Sequence, residues 1–140
     1  MMKDTSKMLE ELQGCNDFKC FYNENASFVR KASLSQYLGA LLKEHNIKKP
    51  DAIKKSELSE VYAYQIFSGT RVPERRKLLA LAIGMELRLE EIQNLLKCAA
   101  YAQLYVKNPF DCIVIFGICK GHTVQQINEI LYEYGLETLG

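Results

Sequence analysis

Residues 51–73 read DAIKKSELSEVYAYQIFSGTRVP, and their period and punctuation decide the fold. Pro50, just ahead of them, suits a first helical position and opens a short basic helix through Lys55. After Ser56, Glu57 and Leu58, Ser59 can cap a second helix to about Ser68, where Gly69 is placed to stop it in the left-handed conformation. Two short helices joined by a tight turn have the spacing of a helix-turn-helix. In that motif the first helix lies across the duplex backbone and the second enters the major groove.

The flanks read as helix too. Leu34, Leu38, Leu41 and Leu42 repeat at three and four residues until Asn46, behind the candidate N-caps Ser33 and Ser35. Downstream, Pro73 is expected to start a helix carrying Leu78, Leu79, Leu81, Ala82 and Met85, interrupted around Gly84 to Leu89. Glu90 and Glu91 suit the positive end of the next helix, whose buried stripe is Ile92, Leu95, Leu96 and Ala99. Asn108-Pro109 and a capping-box pattern, Thr123 with Gln126, announce the last two helices. Gly117 permits close packing there, and Gly121 and Gly135 look like stops. Upstream, Leu9 and Leu12, then Phe18, Phe21 and Tyr22, mark two short helices.

No window alternates with period two for long enough to argue a sheet. The expected architecture is all-α, with about eight helices of ordinary length. It divides into an N-terminal helical extension (1–32), a helix-turn-helix domain (33–100) and a C-terminal helical extension (101–140) packed on it. Leu104, Tyr105 and Val106 make 101–108 a packed connection rather than a free linker.

Composition excludes several classes. The chain has 140 residues, 48% apolar and 25% charged, with a net charge of +1, enough to bury a core without disulfide staples. Five cysteines (Cys15, Cys20, Cys98, Cys112, Cys119) form no Cys-x-x-Cys pair, and neither His45 nor His122 is at finger spacing from one. Reduced, mostly buried thiols, no metal and a cytoplasmic setting are therefore expected. The first twelve residues are amphipathic, and the longest apolar run, Cys112 to Cys119, falls short of the ~20 residues a bilayer span needs, so no membrane role is expected. No cofactor is implied, and an enzyme has no support from a Gly-rich phosphate loop or a nucleophile–base spacing.

Residues 51–73, with Lys77-Leu-Leu-Ala-Leu-Ala and Leu89-Glu-Glu-Ile after them, resemble the phage-repressor (Cro/cI-like, XRE) helix-turn-helix family over a little under half of the chain. Residues 62–69, together with Asp111, Asn128-Glu-Ile-Leu131 and Gly135, are similar to a subgroup of small bacterial regulators in which both parts occur together. The resemblance implies a lambda-repressor-like helical bundle with extra N- and C-terminal helices, and the function of a sequence-specific transcriptional regulator binding double-stranded DNA. It also implies phosphate contacts from Arg71, Arg75 and Arg76, which follow the recognition helix. Two positions depart from the family pattern. The turn residue that is commonly Gly is Glu57, at a cost on the order of 1 kcal/mol in the left-handed region. The small residue expected inside the first helix falls on Ala52 or Ile53.

Helix geometry adds the contact faces. With Ala63 and Ile66 buried, a rotation of about 100° per residue sends Val61, Tyr64 and Gln65 outward and puts Tyr62 and Phe67 on the flanks. Glu60, Val61, Tyr64 and Gln65 are then the candidates for reading bases: Gln65 pairing with adenine, Val61 meeting a thymine methyl and Glu60 accepting from cytosine. Lys54 and Lys55 flank the first helix and Ser59 stands at the N-terminus of the second; with Arg71, Arg75 and Arg76 they form the candidate phosphate set. Lys48 to Arg88 holds nine basic against five acidic residues, a surplus of +4, whereas Leu89 to Gly140 holds three against six, or −3. Near-neutrality thus hides a mildly basic reading head on an acidic, apolar helical body. The apolar residues from Ile113 to Tyr134 exceed what two helices need for one packed face, so a homodimer is expected. The competing reading is an adaptor that keeps the repressor-like scaffold but binds a protein partner through the aromatic second helix.

Overall fold

The computed structural model describes residues 33–140. The expected helices at 1–32, with their aromatic residues and with Cys15 and Cys20, lie outside the described residues. Within them are seven helices and no strand: α1 (Ser33–Glu44), α2 (Lys49–Ser56), α3 (Glu60–Ser68), α4 (Arg75–Gly84), α5 (Leu89–Cys98), α6 (Pro109–Lys120) and α7 (Val124–Glu133). The fold is an all-α helical bundle.

Local chemistry sets most boundaries. Pro50 lies in the first turn of α2, and the Ser59 hydroxyl accepts the Tyr62 N–H (3.2 Å) at the start of α3. The Asn108 side chain accepts the Asp111 N–H ahead of α6, and Thr123 and Gln126 form both halves of a capping box on α7. Two sequence expectations are corrected. Ser35 is inside α1 and caps nothing; its hydroxyl instead donates to the Phe67 carbonyl (2.6 Å), tying α1 to the end of α3. Pro73 does not start α4, because Glu74 after it is still extended (ψ 154°) and the Pro73 carbonyl accepts from the Tyr101 hydroxyl at 2.5 Å.

Helix ends share one device, a residue in the left-handed region. Gly69, Gly121 and Gly135 do this without strain, but Asn46 (φ 53°), Glu57 (φ 60°), Glu86 (φ 57°) and Ala100 (φ 62°) hold it with a Cβ. Glu57 thus takes the left-handed backbone that favours glycine. Glu57→Gly is expected to raise stability by about 0.5–1 kcal/mol, the relief of strain being partly offset by a freer unfolded chain. Chemical denaturation checks this, and an unchanged midpoint would show that the turn is not strained.

One continuous core runs through the described residues. Leu38, Ile66, Leu78, Leu81, Leu95 and Leu96 join it from α1, α3, α4 and α5, and Val114, Ile127 and Leu131 from α6 and α7. Gly117 lets α6 lie directly on Ile127 of α7. The connection at 101–108 is packed as expected: the Gln93 amide donates to the Leu104 carbonyl (3.0 Å) and accepts the Leu104 N–H (2.7 Å). Most of the surplus apolar residues of the last third are absorbed into this core, leaving Phe116, Tyr132 and Tyr134 exposed. The expectation of buried thiols fails for Cys112 and Cys119, which lie seven residues apart on the outer face of α6.

Candidate nucleic-acid interface

The turn Glu57–Ser59 holds α2 and α3 together. α3 is pinned by its inner face: Ala63, Ile66 and Phe67 are buried, whereas Val61 is 71% and Tyr64 42% exposed. Glu60 is exposed beside Val61 in the first turn. Three of the four candidate base-reading residues therefore share an open face. Gln65 is half-buried at its edge, and its Oε1 already accepts from Arg71 Nε (2.7 Å). A bidentate grip on adenine needs that oxygen, so Gln65 must first leave Arg71.

The flanking aromatics have a role that residue spacing did not suggest. Arg71 and Lys77 lie over the Tyr62 ring at 4.9 and 5.0 Å, and Lys49 lies over Phe67 at 5.4 Å. Cations from three different segments are thereby held along both edges of α3. Lys49 and Lys77 belong to the basic cluster of 48–88, but nothing in their sequence position distinguishes them from ordinary surface lysines. The Tyr62 hydroxyl also accepts the Glu74 N–H (3.2 Å), anchoring the segment between α3 and α4.

The candidate phosphate residues separate into two groups. Lys54, Ser59 and Arg71 are exposed, and Lys54 has no ion pair among the described residues. Lys55 is exposed too but meets Glu86 at 3.0 Å, a solvated pair that a phosphate can displace. Arg75 and Arg76 are turned into the protein. Arg75 donates Nη1 and Nη2 to the two oxygens of Asp111 (both 3.0 Å), Nε to the Ala102 carbonyl (3.0 Å) and Nη2 also to the Gln103 carbonyl (3.3 Å). Arg76 donates to the Thr138 carbonyl (3.1 Å) and pairs with Glu137 (3.4 Å). Four of the five donors of a guanidinium are committed at Arg75, so its assignment to phosphate is withdrawn. Arg76, held by the C-terminal segment, is withdrawn with it.

A second polar group lies where α1 meets α5. Glu44, His45 and Glu91 bring their ligand-type atoms within 4.8 Å of one another, a grouping hidden in the sequence because Glu91 lies 46 residues from His45. His45 Nε2 meets Glu91 Oε2 at 2.5 Å, while Glu91 Oε1 accepts the Arg88 backbone N–H at 3.0 Å. Burial by itself would raise the Glu91 carboxyl, but the Arg88 N–H and His45 outweigh it and hold it below the usual carboxylate range. Burial raises Tyr37 beside it, helped by the negative charge of Cys98, Glu91 and Glu44, and burial pushes the Cys98 thiol up, which makes it a poor nucleophile.

A depressed carboxyl stabilises the fold above its unfolded value and loses that contribution as pH falls through the folded one. The unfolding midpoint is therefore expected to fall as pH drops below about 4.5, and E91Q, less stable at pH 7, to decline less steeply. Thermal unfolding between pH 7 and pH 3 checks this, and parallel curves for the two proteins would exclude Glu91 as a source of acid sensitivity.

No helix among the described residues is long and apolar enough to cross a membrane. The chain matches no protein-family model, no curated protein and no solved structure.

Proposed function

We propose that the chain is a transcriptional regulator that binds double-stranded DNA by laying α3 in the major groove. The observation that carries this reading is the rim of cations stacked on the aromatics of α3 itself. Lys49 on one edge, with Arg71 and Lys77 on the other, border an exposed face whose inner side is fixed in the core. Phosphate contacts from such a rim set the register of a helix on the duplex, and the residues between them read the bases. Glu60, Val61, Tyr64 and, once released from Arg71, Gln65 are the reading residues. Lys49, Lys54, Lys55, Ser59, Arg71 and Lys77 form the phosphate set.

A surplus of only +4 over residues 48–88 is modest for one module, so the proposal includes pairing of two copies, which places two α3 helices about 34 Å apart on one face of DNA. Phe116, Tyr132 and Tyr134 offer apolar surface for that contact. Selection of bound duplexes from a random pool is expected to enrich one two-fold repeated motif. Failure to enrich any sequence would remove the sequence-specific reading.

The exposed pair Val61 and Tyr64 favours a second reading, an adaptor that docks a protein on α3. Salt separates the two, because only contacts to phosphate release condensed counterions on binding.

A further inference from the structure

Glu44, His45 and Glu91 stand where the end of α1 meets the first turn of α5, and they bring two kinds of metal-ligand atom together. One imidazole nitrogen and two carboxylate oxygens all lie within 4.8 Å of one another. Donor atoms bound to one divalent ion at about 2.0–2.2 Å are spaced about 3–3.5 Å apart, so the three are within side-chain adjustment of a common ion.

Each donor is prepared in its own way. Glu91 is held by its other oxygen: Oε1 accepts the Arg88 N–H (3.0 Å) in the first turn of α5, which leaves Oε2 to face His45. A backbone donor that orients a ligating carboxylate from behind is the usual support of a metal site. His45 follows the last residue of α1 and its side chain is 29% exposed, so its ring has room to turn. Its Nε2 meets Glu91 Oε2 at 2.5 Å, and an ion in place of the proton between them opens that distance to about 3.3 Å.

Glu44 is the donor with nothing to do in the fold. Its carboxylate has no hydrogen bond or ion pair among the described residues, yet it is held within 4.8 Å of the Glu91 carboxylate. Like charges at that spacing repel, and the nearby Arg88 pairs with Glu91 alone. A cation between the two acids turns the repulsion into attraction. The imidazole chooses which cation: Ca²⁺ and Mg²⁺ prefer oxygen throughout, whereas Zn²⁺ takes histidine and carboxylate together.

We infer that Glu44, His45 and Glu91 bind a divalent ion of the zinc class, with water completing its shell. The ion ties the end of α1 to the start of α5. The proton shared by His45 and Glu91 passes to solvent as the ion enters, so affinity falls as the pH is lowered. The site stands without the DNA reading.

Titration of the full, isotope-labelled chain with Zn²⁺, after chelator treatment and in a phosphine reductant, tests the site by amide NMR. Saturable shifts are expected at Glu44, His45, Arg88 and Glu91, with a Kd of about 100 μM or tighter and at least about 100-fold tighter than for Mg²⁺. Glu44→Gln, at an exposed position that the fold does not need, and His45→Asn are each expected to weaken binding by about five-fold or more. Co²⁺ in place of Zn²⁺ separates this site from the thiols, because thiolate ligands give a near-ultraviolet charge-transfer band that imidazole and carboxylate do not, and no such band is expected. Three results would overturn the inference: a Zn²⁺ Kd weaker than about 100 μM, a loss smaller than about five-fold in Glu44→Gln, or a thiolate band with Co²⁺. None of these depends on whether the protein binds DNA.

Discussion

Asp111→Ala is expected to lower the unfolding midpoint by about 10–15 °C, from a loss of about 3 kcal/mol. The carboxylate is 7% exposed and accepts from both Arg75 Nη groups and from the Tyr105 N–H (3.0 Å). Alanine there leaves a guanidinium that is only 24% exposed without its counter-charge, and the Tyr105 N–H without an acceptor. Breaking one partner of such a pair costs more than removing both. The double variant Asp111→Ala with Arg75→Ala should therefore lose less than the sum of the two single losses. Asp111→Asn, which keeps an acceptor for Tyr105 but not the charge, should fall between wild type and Asp111→Ala. Thermal unfolding followed by circular dichroism measures all three. An Asp111→Ala midpoint within about 2 °C of wild type would return Arg75 to the solvent and to the phosphate set.

Gly84→Ala should be at least as damaging, for a steric reason. A Cβ at Gly84 would lie 2.7 Å from the Ala52 carbonyl oxygen, 2.7 Å from the Ser56 nitrogen and 2.9 Å from the Ser56 Cα, all backbone atoms of α2. No rotamer change relieves that contact, so α2 and α4 must separate, at about 3 kcal/mol or more. Two other glycines calibrate the effect. At Gly117 the added Cβ meets the Ile127 side chain, with Cγ1 at 2.3 Å, which can shift in part, so the loss is smaller. At Gly39, inside α1, no described residue lies within 4 Å, and alanine should stabilise by about 0.5–1 kcal/mol. Guanidinium denaturation of the three variants should give the order Gly84→Ala, Gly117→Ala, Gly39→Ala from least to most stable. A mild Gly84→Ala would mean that α2 does not rest on α4, and the placement of α3 through the Glu57 turn would lose its support.

The residues that could be read from sequence act over a few positions. Pro50, Ser59, Gly69, Asn108 and the Thr123–Gln126 box each satisfy backbone groups within one turn, so spacing alone reveals them. The buried faces of α3 and α5 follow from period for the same reason. Nothing in the sequence around Arg75 and Arg76 points to their internal partners, because Asp111 and Glu137 lie 36 and 61 residues away and arrive only when α6 and the C-terminal segment fold back. Gly84 read as a helix interruption, and its contact with α2 has no sequence signature. Pro73 reads as a helix start because a first-turn proline and a proline in an extended approach look alike in sequence; the Tyr101 hydroxyl bonding to its carbonyl separates the two. At the candidate interface, residue types identified the outward face of α3 but not the stacking of Lys49, Arg71 and Lys77 on its aromatics.

Those stacked cations are also where DNA binding can be tested most directly. Affinity for a mixed-sequence duplex, measured by fluorescence anisotropy from about 50 to 200 mM salt, is expected to fall linearly on logarithmic axes. Lys49→Ala, Arg71→Ala and Lys77→Ala should each reduce the slope by roughly 1, and Arg76→Ala should leave it unchanged. A fully helical protein that binds no duplex at about 50 mM salt would contradict the DNA reading and leave the adaptor in its place.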